Sequence, residues 1–223
     1  MQKRGQIYTI GHSTLSKEEF LKTIESVDTV VDIRSHPTSK WTQFYKEEME
    51  EWLPKNGIQY EWNPKLGGWT QRHLKFEKKF TRHGVDISVY ASGKFPKQHI
   101  AKTMTKSDRL TWYNQGLYDF SWFMTLRSFM RAVDEIIVRS KLGERIGIMC
   151  AELLWWRCHR SMVADYLTFI GADPIHLQPE LVHHSDVIGS RLDRYDPRIL
   201  KKWTNYNSDY EKDRVENAKI TSA

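Results

Sequence analysis

A chain of 223 residues, 39% of them apolar, is long enough to bury one substantial core, so neither a disulfide nor a metal is needed to hold it together. No apolar run reaches the roughly 18 residues of a membrane-spanning helix, which excludes that class. The 34 basic residues exceed the 28 acidic ones, and a formal net charge of +6 favours an anionic ligand, DNA or RNA among them.

The opening residues MQKRGQIYTIGHST carry no apolar leader core, so a cytoplasmic protein is expected. In that setting the two cysteines, Cys150 and Cys158, read as catalytic, structural or redox-active rather than as a stable staple. Nine tryptophans lie among the lysines and arginines. Such rings stack on bases, although most are expected to pack the core.

In chain order, Gln6–Ile10 reads as a strand, broken by Gly11-His12-Ser13. Ser16 and Glu19 form a capping box ahead of a helix carrying Phe20, Leu21 and Ile24. Thr29–Ile33 is a short apolar run of the kind buried on both faces of a parallel sheet, with Asp32 and Arg34 at its carboxyl end. After Pro37 a charged helix is expected from about Gln43 to Leu53, stopped by Pro54 and Asn56-Gly57. Ile58–Trp62 is the third strand. This alternation predicts an α/β fold of three layers, with a mostly parallel sheet flanked by helices.

Beyond the loop at Leu66-Gly67-Gly68, the stretch from Trp69 to Arg109 is rich in basic residues, Arg72, Lys75, Lys78 and Lys79 among them. It reads as a basic insertion, spanning about 69–112, within a single domain of residues 1–190. A long helix is expected from about Leu117 to Ser140, with Phe120, Phe123, Met130, Val133 and Ile137 on one stripe. Arg145–Met149 is a strand closed by Cys150, Arg160–Ile170 a helix with Gly171 beyond its end, and Pro174–Leu177 the last strand. Residues 191–223 read as a polar C-terminal extension that frays, despite Trp203, Tyr206 and Tyr210.

The segment from Cys150 to Ser161 is the most specific chemical signal, because it joins a buried strand to a helix. Ligands of open α/β sheets bind at the carboxyl ends of strands, and a helix amino terminus there offers free amides and partial positive charge. Cys150 is a candidate nucleophile in such a field. Glu152 is a candidate acid, base or nucleophile if the loop around it excludes water, and Cys158 and His159 complete the candidate catalytic set. Arg160 is placed to hold an anionic group, with Trp155 and Trp156 as stacking rings. Gly11, His12, Ser13, Asp32 and Arg34 follow neighbouring strands and are expected at the same edge, binding substrate. Each has a plainer reading: Cys150 as a core residue, Asp32 and Arg34 as a structural ion pair, His159 as a helix cap. Cys158 and His159 with His176, His183 and His184 supply metal-ligand types, but no spacing matches a zinc pattern, so no metal or other cofactor is expected. No phosphate-binding glycine loop or nucleophile elbow is present.

Taken together, Tyr8-Thr9-Ile10-Gly11-His12-Ser13-Thr14, Val31-Asp32-Ile33-Arg34 with Pro37, Leu66-Gly67-Gly68, Cys150-Ala151-Glu152 and Cys158-His159-Arg160 resemble the domain-of-unknown-function 488 family. The likeness spans residue 6 to about 184. It implies a compact prokaryotic α/β domain and brings no reaction with it. A weaker likeness links Val31-Asp32-Ile33-Arg34, and the strand ending in Cys150, to rhodanese-type and cysteine phosphatase domains. Those loops place the arginine closer to the cysteine, whereas ten residues separate Cys150 from Arg160.

Three functions fit these residues. The first is an enzyme, hydrolase or transferase, acting on a nucleotide-like or nucleic-acid substrate through Glu152, with N-glycosidic cleavage as one such reaction. The second is sulfur or phosphoryl transfer through Cys150. The third is a non-catalytic nucleic-acid-binding module.

Overall fold

Strands whose successive residues face opposite sides need an apolar layer on each face, and this sheet has both. The computed structural model describes residues 5–67, 111–112 and 114–221, with side chains to residue 210. The basic stretch from Trp69 to Arg109, expected as an insertion, lies outside the described residues, as does Gly68.

The sheet is built from β1 (Gln6–Gly11), β2 (Thr29–Asp32), β3 (Gln59–Trp62), β4 (Arg145–Cys150), β5 (Ile175–His176) and β6 (Val182–His183). Its order is β3-β2-β4-β1-β5-β6, parallel throughout except for the final β5–β6 pair. The fold is therefore the expected α/β class, with β6 an addition that two residues are too short to signal. In β4, Ile146, Ile148 and Cys150 face one apolar layer while Met149 faces the other.

One face is covered by α1 (Lys17–Thr23) and α2 (Lys46–Lys55), through Phe20, Met49, Trp52 and Leu53. The Ser16 hydroxyl accepts from the Glu19 amide at 3.1 Å, and the Glu19 carboxylate accepts from the Ser16 amide at 2.8 Å. Such a cap is worth about 1 kcal/mol. Pro54 does not stop α2 as the sequence suggests, because the helix runs one residue past it.

The other face carries α3 (Gln115–Phe123), α4 (Arg127–Lys141), α5 (His159–Phe169) and α7 (Pro197–Thr221), with the single turn α6 (His184–Val187) between the last two. The long helix expected from Leu117 to Ser140 is two helices, broken at Met124–Leu126, where Thr125 Oγ1 donates to the Trp122 carbonyl at 2.7 Å. Both halves keep their apolar residues on the core, so the break does not disturb the stripe. Gly171 ends α5 with φ +88°, a left-handed turn that glycine adopts without strain. No helix among the described residues is long and apolar enough to cross a membrane.

The stretch beyond Arg191, expected to fray, instead supplies a core helix. Trp203 of α7 is fully buried against Tyr166, Tyr195 and Phe169, with ring centroids 5.0 to 5.4 Å apart. Its indole donates to the Met124 carbonyl at 3.3 Å. Ile199 is buried beside it, and Leu200 and Tyr206 pack against the same core, but apolar residues this sparse on a charged helix escape a periodicity search. We predict that Trp203→Ala costs about 3–5 kcal/mol of unfolding free energy, read from urea denaturation. A loss below 1 kcal/mol would mean that α7 is not an integral part of the core.

Candidate active site

Parallel pairing places the carboxyl ends of β1, β2 and β4 side by side, with Gly11 opposite Cys150 and Asp32 opposite Met149. The loops beyond stay paired: the His12 amide donates to the Cys150 carbonyl and the Ser13 amide to the Ala151 carbonyl, both at 3.0 Å. Ser13 adopts φ +45° to follow this path. Gly11 is obligatory here, because a Cβ would lie 2.0 Å from the Glu152 carbonyl oxygen and 2.9 Å from Arg160 Nη1. Its amide donates to Gln178 Oε1 at 3.0 Å, tying β1 to the loop after β5.

Arg160, in the first turn of α5, is fully buried. Nη2 donates to the Leu153 carbonyl at 3.1 Å, and Nε and Nη1 have no hydrogen-bond partner among the described residues. Arg34 is the opposite case. Its guanidinium grips Asp32 through Nε and Nη2, donates from Nη1 to the Thr38 carbonyl at 3.3 Å, and meets His12 Nε2 at 3.2 Å. The Tyr60 hydroxyl adds a 2.7 Å bond to Asp32. Asp32 and Arg34 thus form a closed internal pair, whereas Arg160 has donors to spare among the described residues.

Cys150 and Cys158 are free thiols whose sulfurs lie 2.7 Å apart. Cys158 is the N-cap of α5, its sulfur accepting from the Arg160 amide at 3.4 Å. Burial pushes the Cys158 thiol up, but the hydrogen bond from Cys150, the Arg160 guanidinium and the Arg160 amide outweigh it and bring the thiol below its ordinary value. Burial and the same hydrogen bond push the Cys150 thiol well up. The pair is therefore polarised, with Cys150 the proton donor and Cys158 the incipient thiolate.

Two histidine tautomers follow from their carbonyl partners, which only accept. His159 Nε2 donates to the Ile33 carbonyl at 3.0 Å, leaving the Nδ1 lone pair facing Cys158 Sγ at 3.5 Å. His12 Nδ1 donates to the Ser13 carbonyl at 3.1 Å, so Nε2 accepts from Arg34. Burial holds both rings below the ordinary histidine range, and burial with the Arg34 charge takes His12 down to about 4.

The loop between β4 and α5 is locked by a buried network that joins His176, His184 and Trp155 to Asp165, Arg194 and Tyr195, the last three not singled out by any sequence pattern. Asp165, fully buried on α5, accepts from His184 Nε2 at 2.8 Å, Arg191 Nε at 2.7 Å, the Tyr195 hydroxyl at 2.7 Å and Arg194. Burial alone raises its carboxyl, but the His184 bond and the two arginines hold it well below the usual carboxylate range. His184 Nδ1 meets His176 Nε2 at 2.8 Å, and His176 Nδ1 meets Thr9 Oγ1 at 2.6 Å. Trp155 stacks on His176 at 3.9 Å with planes 5° apart, under Arg191 at 5.2 Å. A carboxylate on an otherwise apolar helix face was the available signal for Asp165. His176 and His184 were legible only as metal-ligand types, and among the described residues no group of three His, Cys, Asp or Glu suits a metal ion.

The structure therefore brings together Cys150, Cys158, His159, Arg160 and Gly11, with His12, Ser13, Asp32 and Arg34 behind them. The Glu152 side chain is exposed and contributes its carbonyl to the close approach at Gly11. Trp155 is buried in the His176 stack, and Trp156 is exposed.

A parallel α/β sheet with a polarised cysteine pair and a buried arginine at its carboxyl edge defines the class of protein. The sequence matches the family described as Domain of unknown function DUF488 over residues 18–98 and 95–167, and the chain belongs to that family. No curated protein and no solved structure matches it.

Buried neutral His12 makes stability depend on pH. The unfolded chain protonates this ring near 6.5 and the folded chain only near 4. His12 thus contributes nothing adverse above 6.5, and stability is lost as the pH falls from 6.5 towards 4. The loss attributable to His12 should reach about 3 kcal/mol, and His12→Gln should flatten that part of the curve. Urea midpoints at pH 7.5 and 4.5 measure it; parallel curves for the two proteins would refute the assignment.

Proposed function

We propose that this chain is a thiol-dependent enzyme that takes a sulfur or phosphoryl group from an anionic donor onto Cys158. The observation that carries this reading is the fully buried Arg160 guanidinium, two of whose donors lack partners, beside a cysteine that caps the same helix. A buried cation short of acceptors is costly, and an oxyanion or a thiolate at this place lowers the cost. In the proposed step the Cys158 sulfur bonds to the transferred atom as that atom's bond to the donor breaks. His159 Nδ1, 3.5 Å away, takes the thiol proton beforehand and returns it to the leaving group. Cys158 replaces Cys150 as the nucleophile, because Cys150 is the deeper thiol and the one whose proton is held.

A second reading keeps the nucleotide-like substrate or nucleic acid, supported by the exposed Trp156 ring and the exposed Glu152 residue of the same loop and by the +6 charge. It asks Glu152 to work without being desolvated, which places it behind the thiol reading. N-glycosidic cleavage, or binding without catalysis, belongs to this second reading, and Glu152→Gln separates it from the first.

Thiosulfate and p-nitrophenyl phosphate probe the two kinds of transfer. Peptide mapping should find a persulfide or phosphoryl adduct on Cys158, absent in Cys158→Ser and retained in Glu152→Gln. Arg160→Gln removes the neighbouring cation, raises the thiol and should slow alkylation by iodoacetamide at neutral pH about tenfold or more, one pKa unit being a factor of ten. An absence of adducts together with unchanged alkylation in Arg160→Gln would sink the thiol reading.

A further inference from the structure

Cys150 is not needed for a single transfer to Cys158, yet its sulfur lies 2.7 Å from that of Cys158. The two thiols differ in access. Cys158 retains 8% exposure and Cys150 1%, so an external reagent meets Cys158 first and Cys150 is reached by its neighbour. They also differ in anchoring. Cys150 ends a central strand whose position is fixed by pairing on both sides, with β1 and β2 flanking β4. Cys158 ends a short 3-10 turn, Trp155–Arg157, and opens α5. Among the described residues the other hydrogen bond of Cys150 Sγ is a long one, to the Glu152 carbonyl at 3.9 Å.

We propose that Cys150 is a second, resolving thiol, and that the pair closes and reopens an internal Cys150–Cys158 disulfide with a small hydroperoxide as oxidant and a small-molecule thiol as reductant. The inference rests on the reading of Cys158 as the reactive thiolate. In the first step the Cys158 thiolate attacks the peroxide, the oxygen–oxygen bond breaks, and Cys158 sulfenic acid and hydroxide (for hydrogen peroxide) are formed. In the second, Cys150 bonds to the oxidised sulfur and the sulfur–oxygen bond breaks. The hydroxyl leaves as water with the Cys150 proton. Two equivalents of external thiol then reduce the disulfide, restoring both thiols and forming one external disulfide. While the disulfide is closed Cys158 carries no free thiolate, so transfer through it stops.

The chemistry differs from that of a lone reactive cysteine in one readable way. With Cys150 in contact the sulfenic acid is consumed as it forms, and over-oxidation to sulfinic acid is suppressed. The test treats the reduced, full-length chain with stoichiometric hydrogen peroxide, then counts thiols under denaturing conditions and maps peptides without reduction. The expected result is loss of both thiols together, a linked Cys150–Cys158 peptide pair within one chain, and full recovery with dithiothreitol. Dimedone, which traps sulfenic acid, should label Cys150→Ser on Cys158 and leave the wild type unlabelled. Wild-type protein that keeps Cys150 free while Cys158 is labelled or over-oxidised overturns the inference, and so does a disulfide between chains. The wild-type measurement stands whether or not the variant folds. Protein that forms the Cys158 adduct with thiosulfate or p-nitrophenyl phosphate but keeps both thiols after peroxide overturns this inference alone. Protein that does neither, and whose alkylation is unchanged in Arg160→Gln, overturns the transfer reading with it.

Discussion

A guanidinium buried without a carboxylate is the constraint around which this site is arranged. Taking a cation out of water costs several kcal/mol unless hydrogen bonds or an opposite charge replace the lost hydration. Arg160 is fully buried and, among the described residues, has one carbonyl for its five N–H groups, that of Leu153. Its surroundings follow from that shortage. Gly11 is bare so that the guanidinium and the Glu152 carbonyl can approach the end of β1. The sulfur of Cys158, which the Arg160 amide also contacts, lies within the field of that cation. The cation and the helix amino terminus therefore act on the same atom, and Cys150 donates to it from the other side.

The same helix carries the reverse problem five residues on. Asp165 is a buried anion with a surplus of donors: one histidine, two arginines and a tyrosine. That surplus holds the segment after β6 against α5 and, through His184 and His176, the stack on Trp155. Trp155 begins the short turn that ends at Cys158. A network in which Asp165 has every acceptor position taken, though Arg194 Nε is left without a partner among the described residues, thus fixes the loop, while Arg160, with two unpartnered nitrogens among the same residues, lies beside the cysteines. Buried polar groups are rigid where every partner is present and reactive where one is missing. Asp32 and Arg34 belong with the first kind, a closed pair that orients His12.

Much of the architecture was legible in the sequence, because parallel strands buried on both faces read as short apolar runs. Thr29–Asp32 and Arg145–Cys150 are of this type, and the capping box at Ser16 and Glu19 announces α1. The break at Met124–Leu126 was not legible, since the apolar stripe continues in phase across it. The β6 strand was too short to signal, and the place of α7 depended on one tryptophan meeting three distant rings. For the site, proximity along the chain marked Cys150, Cys158, His159 and Arg160, but not their roles. Which cysteine holds the proton depends on depth and on a helix cap, and which arginine is free depends on partners contributed by other strands. Asp165 and the histidine chain come together only through tertiary contact, over separations of 8 to 167 residues.

Cys158 is the more acidic thiol of the pair because the hydrogen bond from Cys150 and the Arg160 cation outweigh its burial. The ultraviolet absorbance of thiolate anions, followed against pH in the reduced chain, tests it most directly. The expected result is one titration below the ordinary thiol value of 9.0, lost in Cys158→Ser, retained in Cys150→Ser and shifted upward in Arg160→Gln. An absorbance that rises only above 9.0, or that survives in Cys158→Ser, would contradict it.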